Sequence, residues 1–217
     1  MKIAPSMLSS DFSRLGEETE KVSKAGADYI HLDVMDGIFV KNITFGPTVI
    51  KSIRKNTNLP FDVHLMISEP IRYIEEFVEA GADIITFHVE AEERVLEAIN
   101  LIKTHKKLVG ISIKPQTPVT EILRYLGLID LALIMTVEPG FGGQEFMSEM
   151  MEKVEILKKE IHAKKLKTLI EIDGGINKKT VQIAAKSGTD ICVAGTSIFK
   201  STNIEEAIAE LKNFKFR

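Results

Sequence analysis

Ile30-His31-Leu32-Asp33-Val34-Met35-Asp36-Gly37 is the stretch on which the reading of the fold turns. Successive side chains on a strand point to opposite faces, so His31, Asp33 and Met35 share one face while Ile30, Leu32 and Val34 share the other. The aliphatic face is uninterrupted, which predicts a strand covered on both sides, as parallel strands in α/β proteins are. A buried file of imidazole and carboxylate is unfavourable unless something pairs with it, and a metal ion would do so. The pattern recurs at Val63-His64-Leu65-Met66 and at Ile170-Glu171-Ile172-Asp173-Gly174-Gly175. Four potential ligands, His31, Asp33, His64 and Asp173, thus fall at or near the ends of three expected strands.

Outward from these stretches the chain alternates regularly. Strand patterns at 2–5, 27–34, 60–66, 83–88, 108–113, 131–137, 168–173 and 190–194 interleave with helix patterns at 11–25, 47–55, 68–79, 91–104, 121–126, 148–163, 178–186 and 203–213. Asp11 caps the first helix and Gly26 stops it, Pro47 starts the second, and Gly81 ends the third. Eight strand-then-helix units in 217 residues imply one closed (β/α)8 TIM barrel domain over 1–217 with little insertion, since such barrels usually run to roughly 250 residues. An open doubly wound sheet is the alternative, and the lack of G-x-G-x-x-G after the first strand speaks against it. Ala25-Gly26-Ala27-Asp28, Ala80-Gly81-Ala82-Asp83 and Ser187-Gly188-Thr189-Asp190 read as one repeated helix-to-strand turn. Those turns lie at the strand N-termini; the four candidate ligands, Glu138-Pro139-Gly140 and Ala194-Gly195-Thr196 lie at the C-terminal ends, where such barrels carry their chemistry.

Composition narrows the partners. A formal net charge of -3 and a pI near 6.0 give no whole-molecule attraction to nucleic acid or to an anionic membrane. The lysines at 158, 159, 164, 165 and 167 are interspersed with acids and read as a solvated helix face. The one cysteine, Cys192, excludes an internal disulfide and sits in an apolar run as a small buried side chain. The N-terminus does not read as a signal peptide, and no apolar run approaches the ~18 residues of a membrane span. A cytoplasmic protein that self-associates, as barrels commonly do, is expected.

Two imidazoles and two carboxylates converging from the second, third and seventh strands suit one divalent transition metal ion, Zn²⁺, Fe²⁺, Mn²⁺ or Co²⁺, with open positions for an oxygen ligand. His88, at the end of the fourth strand, and His105, at a polar helix terminus, are left out of the set. Glycine-rich segments follow the last three strands: Gly140-Phe141-Gly142-Gly143, Gly174-Gly175 and Gly195-Thr196-Ser197. Loops after strands seven and eight commonly bind phosphate in such barrels, so a phosphorylated small molecule is expected. Met35, Met66 and Met135 at the mouth provide a soft apolar cushion that excludes water. Ser6, just past the first strand, can donate to a substrate oxygen.

Ile3-Ala4-Pro5-Ser6, His31 through Gly37, Asn42-Ile43-Thr44-Phe45-Gly46-Pro47, Asp62-Val63-His64-Leu65-Met66, Val137 through Gln144, Ile172-Asp173-Gly174-Gly175 and Val193-Ala194-Gly195 together resemble the ribulose-phosphate 3-epimerase family. The resemblance spans nearly the whole chain, departing from the family pattern at Ile38 and Lys41, where histidine and proline are frequent. It implies a barrel of the ribulose-phosphate-binding type and a metal on His31, Asp33, His64 and Asp173. It implies Asp33 and Asp173 as the acid/base pair, and substrate held by Ser6, His64, Gly140, Phe141, Gly142, Gly143, Asp173, Gly174, Gly175, Gly195 and Thr196. The expected activity is metal-dependent interconversion of D-ribulose 5-phosphate and D-xylulose 5-phosphate by two-base proton transfer at C3, a step of the pentose phosphate pathway. A hexulose 6-phosphate 3-epimerase, such as one acting on allulose 6-phosphate, is the nearest alternative. A metal-dependent hydrolase and a phosphate-binding regulatory barrel are the readings from other classes.

Overall fold

The computed structural model describes residues 1–213. Its eight strands are β1 (Lys2–Pro5), β2 (Ile30–Met35), β3 (Phe61–Met66), β4 (Ile84–His88), β5 (Leu108–Ile113), β6 (Leu131–Met135), β7 (Leu169–Asp173) and β8 (Ile191–Ala194). Every neighbouring pair is parallel, in the order β1-β8-β7-β6-β5-β4-β3-β2. The remaining seam closes through a parallel bridge between Ser6 and His31. It is also stitched at its other end, where Asp28 N–H donates to Ile3 O at 2.9 Å and Ile3 N–H to Asp28 Oδ2 at 2.8 Å. The chain is a (β/α)8 barrel.

The expected helices form, with starts shifted by local chemistry. They are α1 (Leu15–Lys24), α2 (Pro47–Ile53), α3 (Ile74–Glu79), α4 (Val95–Thr104), α5 (Thr120–Leu123), α6 (Met151–Ala163), α7 (Thr180–Ser187), α8 (Thr196–Phe199) and α9 (Ile204–Lys212). Single 3-10 turns lead into α1, α3 and α6. Helix α4 begins four residues later than 91, because the Glu92 carboxylate accepts from Arg94 N–H at 2.9 Å and from Ile71 N–H at 3.1 Å. That side-chain turn competes with helical hydrogen bonding and delays the first turn. The pattern at 121–126 gives only the single turn α5.

The repeated turn has a mechanical role that its glycine alone does not explain. Gly26, Gly81 and Gly188 each take a left-handed backbone, with φ of 89°, 100° and 96°, which ends the helix. The aspartate two residues later then caps a neighbouring strand: Asp28 accepts from Ile3 N–H, Asp83 from Phe61 N–H and Asp190 from Ile170 N–H. Asp130 does the same for Val109 N–H without the preceding Gly-x. Carboxylates thus close the open backbone donors at the barrel's N-terminal rim.

The main core lies between sheet and helices, built from the outward faces of the strands, as with Ile30, Leu32 and Val34 of β2. Inside the barrel a smaller apolar plug of Ala4, Ile84, Leu131, Ile191 and Val193 rises from the N-terminal end until Val193 meets the cavity. Buried polar side chains also point into the barrel, among them His31, Asp62, Thr86, Ser112 and Glu171. Polar groups at full burial in a barrel are costly unless paired, and this places the chemistry.

Candidate active site

A cavity of about 260 Å³ opens at the C-terminal ends of the strands. Asp33 and Asp173 line it, as do Ser6, Met35, Met66, Met135, Gly140, Phe141, Gly142, Gly143, Gly174, Gly175, Gly195 and Thr196. His31 and His64 do not line it: both are fully buried. His31 is the second residue of β2, so it sits deeper than a strand-end position. The neighbouring registers align Asp33 with His64, Met35 with Met66 and Met135 with Asp173.

Four donor atoms converge here. His31 Nε2 and His64 Nδ1 each lie 3.3 Å from Asp33 Oδ1, and they lie 3.9 and 3.7 Å from Asp173 Oδ2. All four atoms are within 4.8 Å of one another. Metal–ligand bonds of about 2.1 Å around a tetrahedral ion would separate ligand atoms by about 3.4 Å. His31 Nε2 is buried without any hydrogen-bond partner, a state that costs free energy and calls for an occupant. The donor set and spacing fit a divalent cation, so this His/Asp cluster could hold a metal ion.

Electrostatics lead to the same place. Burial works against charge on His31, yet Asp33 and Asp62 outweigh it and hold the imidazole well above its ordinary range. His64 is raised too, burial being overcome by Asp173 and Asp33. Asp33 is buried, but the two histidines keep its carboxyl far below the usual value. Asp173 is pushed up by burial and by the Asp33 charge. Two carboxylates this close demand a cation. A proton on imidazole serves in the metal-free protein, and a divalent ion would serve better.

Each inner group has an outer partner. His31 Nδ1–H donates to Asp62 Oδ2 at 2.6 Å, so Nε2 is the nitrogen facing the cluster, and it offers a lone pair once an arriving ion displaces its proton. Ser6 Oγ donates to Asp33 Oδ2 at 2.6 Å. Its proton is therefore engaged by the protein, where the sequence reading directs it to substrate. Below them Glu171 is fully buried with neither oxygen paired, and burial followed by the Asp62 charge raises it well above the carboxylate range. His64 Nε2 lies 2.9 Å from His88 Nε2.

The glycine loops form one wall. Among the described residues the N–H groups of Gly142, Gly143, Gly175 and Thr196 find no acceptor. Ser197 adds a buried hydroxyl without a partner. Gly175 has φ +68° and a Cβ there would fall 2.6 Å from the Phe146 backbone; one at Gly195 would fall 2.4 Å from Ser9 Oγ. Unclaimed donors on Cβ-free backbone are what an oxyanion needs.

From sequence, Asp62, Glu171, Glu90, Ser9 and Ser197 receive no role of their own, and His88 is weighed and set aside. For two of them the period-two alternation was available, since Asp62 shares a face with His64, and Glu171 with Asp173. His88 required knowledge of which rings meet across strands. Ile38 and Lys41 both point to solvent, and the 36–46 loop is shaped by other residues. Asp36 accepts from Ile38 and Phe39 N–H, Asn42 Nδ2 donates to Gly140 O, and Thr44 Oγ1 donates to Asp33 O.

Residues 2–199 match the model of the ribulose-phosphate 3 epimerase family. The ribulose-phosphate 3-epimerase of Bacillus subtilis (strain 168) is 45% identical over 216 residues, covering 99% of this chain and 100% of that protein. That of Synechocystis is 45% identical over 215 residues, covering 98% and 94%. The rice protein named as a cytoplasmic isoform is 45% identical over 215 residues, covering 97% and 92%. Among solved structures, a 3-hexulose-6-phosphate synthase superposes with a TM-score of 0.69 at 19% identity, covering 97% of each chain. Orotidine 5'-phosphate decarboxylase from Pyrococcus horikoshii gives 0.71 at 13% identity, covering 98% and 100%. At such identities these two likenesses concern the fold alone.

Proposed function

This chain belongs to the ribulose-phosphate 3-epimerase family and is an epimerase acting on carbohydrates; on that premise we propose that it inverts C3 between D-ribulose 5-phosphate and D-xylulose 5-phosphate, using a divalent metal and two aspartates. The observation that carries the reading is the pair Asp33 and Asp173 lining one cavity from β2 and β7, strands separated by β8 and β1 around the barrel. The C3 proton is acidic because the adjacent C2 carbonyl can take the charge as an enediolate. Inversion requires a proton to leave one face of C3 and another to arrive on the opposite face, so one carboxylate accepts while the other donates. Ser6 anchors Asp33 by its second oxygen and fixes the direction from which that carboxylate meets substrate.

His31, Asp33, His64 and Asp173 would hold the ion, which when bound supplies a Lewis acid that neutralises charge developing on the two substrate oxygens. Met35, Met66 and Met135 keep water from the reacting carbon. The donors on Gly142, Gly143, Gly175, Gly195 and Thr196 would take the remote phosphate and convert its binding energy into placement of C3. No helix among the described residues is long and apolar enough to cross a membrane. A place in the cytoplasm, in the pentose phosphate pathway, agrees with a sugar-phosphate substrate and with the name of the rice relative.

The direct test is to incubate the metal-loaded protein with D-ribulose 5-phosphate, D-allulose 6-phosphate and unphosphorylated ribulose, comparing kcat/KM. The pentulose phosphate should lead. A higher value for the hexulose phosphate would move the substrate, and phosphate hydrolysis without epimerisation would move the reaction class.

The anion wall makes a separate prediction. A Gly195→Ala side chain would fall 2.4 Å from Ser9 Oγ and 3.2 Å from Ser9 Cβ, forcing the Ser9 side chain to shift and filling space in the wall. We expect kcat/KM for the phosphosugar to fall by about 10²-fold, because small misplacements at a remote contact are felt at the reacting carbon. Activity on unphosphorylated ribulose should barely change. An equal loss on both sugars would place the phosphate elsewhere.

A further inference from the structure

We propose that His88, oriented by Glu90, is a positioning residue that fixes His64 in the tautomer presenting its Nδ1 lone pair to the metal. The inference rests on the metal reading above, and concerns two residues that touch neither the cavity nor the four ligand atoms. His64 can ligate through Nδ1 only if Nε2 carries its proton, and the partner of that nitrogen is His88 Nε2 at 2.9 Å. The two rings are stacked, with centroids 5.0 Å apart, and both are fully buried. Only one proton can sit between two such nitrogens, so the pair has a direction.

Glu90 sets that direction. Its Oε2 lies 3.3 Å from His88 Nδ1. Its Oε1 accepts from Lys114 N–H at 2.7 Å and from Thr117 Oγ1. Those donors, with His88, keep Glu90 ionised, down at about 2 against the pull of burial. An acceptor-only carboxylate requires Nδ1–H on His88, which leaves His88 Nε2 as a lone pair and draws the His64 proton to Nε2. The reverse polarity would set the His88 Nδ1 lone pair against the carboxylate oxygen. Phe39 packs on the His88 ring at a centroid distance of 4.9 Å and limits its rotation. The outer arrangement at His64 is thus carboxylate to imidazole to imidazole, one ring longer than the Asp62 contact that serves His31.

A one-atom substitution reads this out. In Glu90→Gln the amide oxygen must still face Lys114 N–H and Thr117, so its NH₂ is aimed at His88 Nδ1. That reverses both hydrogen bonds and moves the His64 proton onto Nδ1, the ligating atom. Zn²⁺ affinity, measured by competition with a chromophoric chelator, should weaken by about 10–100-fold while the metal-free protein melts within a few degrees of wild type. His88→Leu, which removes the acceptor, should weaken Zn²⁺ by a comparable factor. In a His64→Ala background neither substitution should weaken Zn²⁺ further, because both act through that ring. Wild-type Zn²⁺ binding with Glu90→Gln unchanged within twofold would overturn the inference alone, as would an undiminished loss in the His64→Ala background. Absence of Zn²⁺ binding by wild type would overturn the metal reading, and this inference with it.

Discussion

Chelation of the purified protein to well below stoichiometric metal should cut epimerisation by about 10³-fold or more, and Zn²⁺, Fe²⁺, Mn²⁺ or Co²⁺ should restore it. The magnitude follows from the chemistry: a single preorganised electrophilic contact to a developing oxyanion is worth about 10²–10³ in kcat. Besides the four-residue cluster, no cationic side chain lines the cavity among the described residues. His64→Ala should bind metal more weakly, through the three remaining ligands, and lose turnover with it, while retaining its helical and strand signals, since its strand is otherwise held by Phe61, Val63 and Leu65 in the core. Metal binding should also carry a pH signature. His31 and His64 are held above the ordinary imidazole range by the aspartates, so an arriving ion must displace protons. Affinity should therefore tighten as pH rises and weaken as it falls, with proton release detectable by calorimetry in two buffers of different ionisation enthalpy. The sign is opposite for the metal-free protein. There a raised imidazole contributes stability that is present at low pH and lost as pH climbs through its folded value. Full turnover in protein assayed as metal-free would sink the cofactor reading outright.

The barrel was legible because its strands write their environment in period two. Ile30, Leu32 and Val34 against His31, Asp33 and Met35 state both that the strand is covered outside and that its inside carries chemistry. The repeated Gly-x-Asp turn was legible as punctuation, but its second function was not. That Asp28, Asp83 and Asp190 cap an N–H of the preceding strand is a contact between chain segments twenty or more residues apart. Helix starts were read less well where side chains intervene, as with Glu92 delaying α4. At the site, residue types sufficed to gather His31, Asp33, His64 and Asp173, whereas direction did not follow from type. Which nitrogen of His64 faces inward, and why, depends on His88 and Glu90, and their relation to His64 exists only once β3 and β4 are paired. Ser6 illustrates the same limit: its hydroxyl was available in the sequence, while its engagement by Asp33 depends on closing the barrel between β1 and β2.

Asp173→Asn is expected to reduce epimerisation by about 10²–10⁴-fold, the range for losing one positioned acid/base, while leaving a one-sided exchange behind. The two carboxylates are not equivalent in the fold. Asp33 is nearly inaccessible and tied by Ser6 and both histidines, whereas Asp173 retains 14% side-chain exposure to the cavity. If each serves one face of C3, the variant keeps only the Asp33 face. Asp33 can then remove the proton from the epimer that presents it and return a solvent-derived one to the same side. In D₂O the variant should incorporate deuterium at C3 of only one pentulose phosphate, more slowly than wild type and with little conversion to the other. Asp33→Asn should show the opposite preference. Because Asp173 is also a proposed ligand, metal content must be verified in the same sample, and a metal-depleted variant would be reconstituted before exchange is read. Deuterium entering both epimers equally in metal-loaded Asp173→Asn, with epimerisation retained, would mean that a single base reaches both faces of C3. The separation of Asp33 and Asp173 on β2 and β7 would then serve ligation alone.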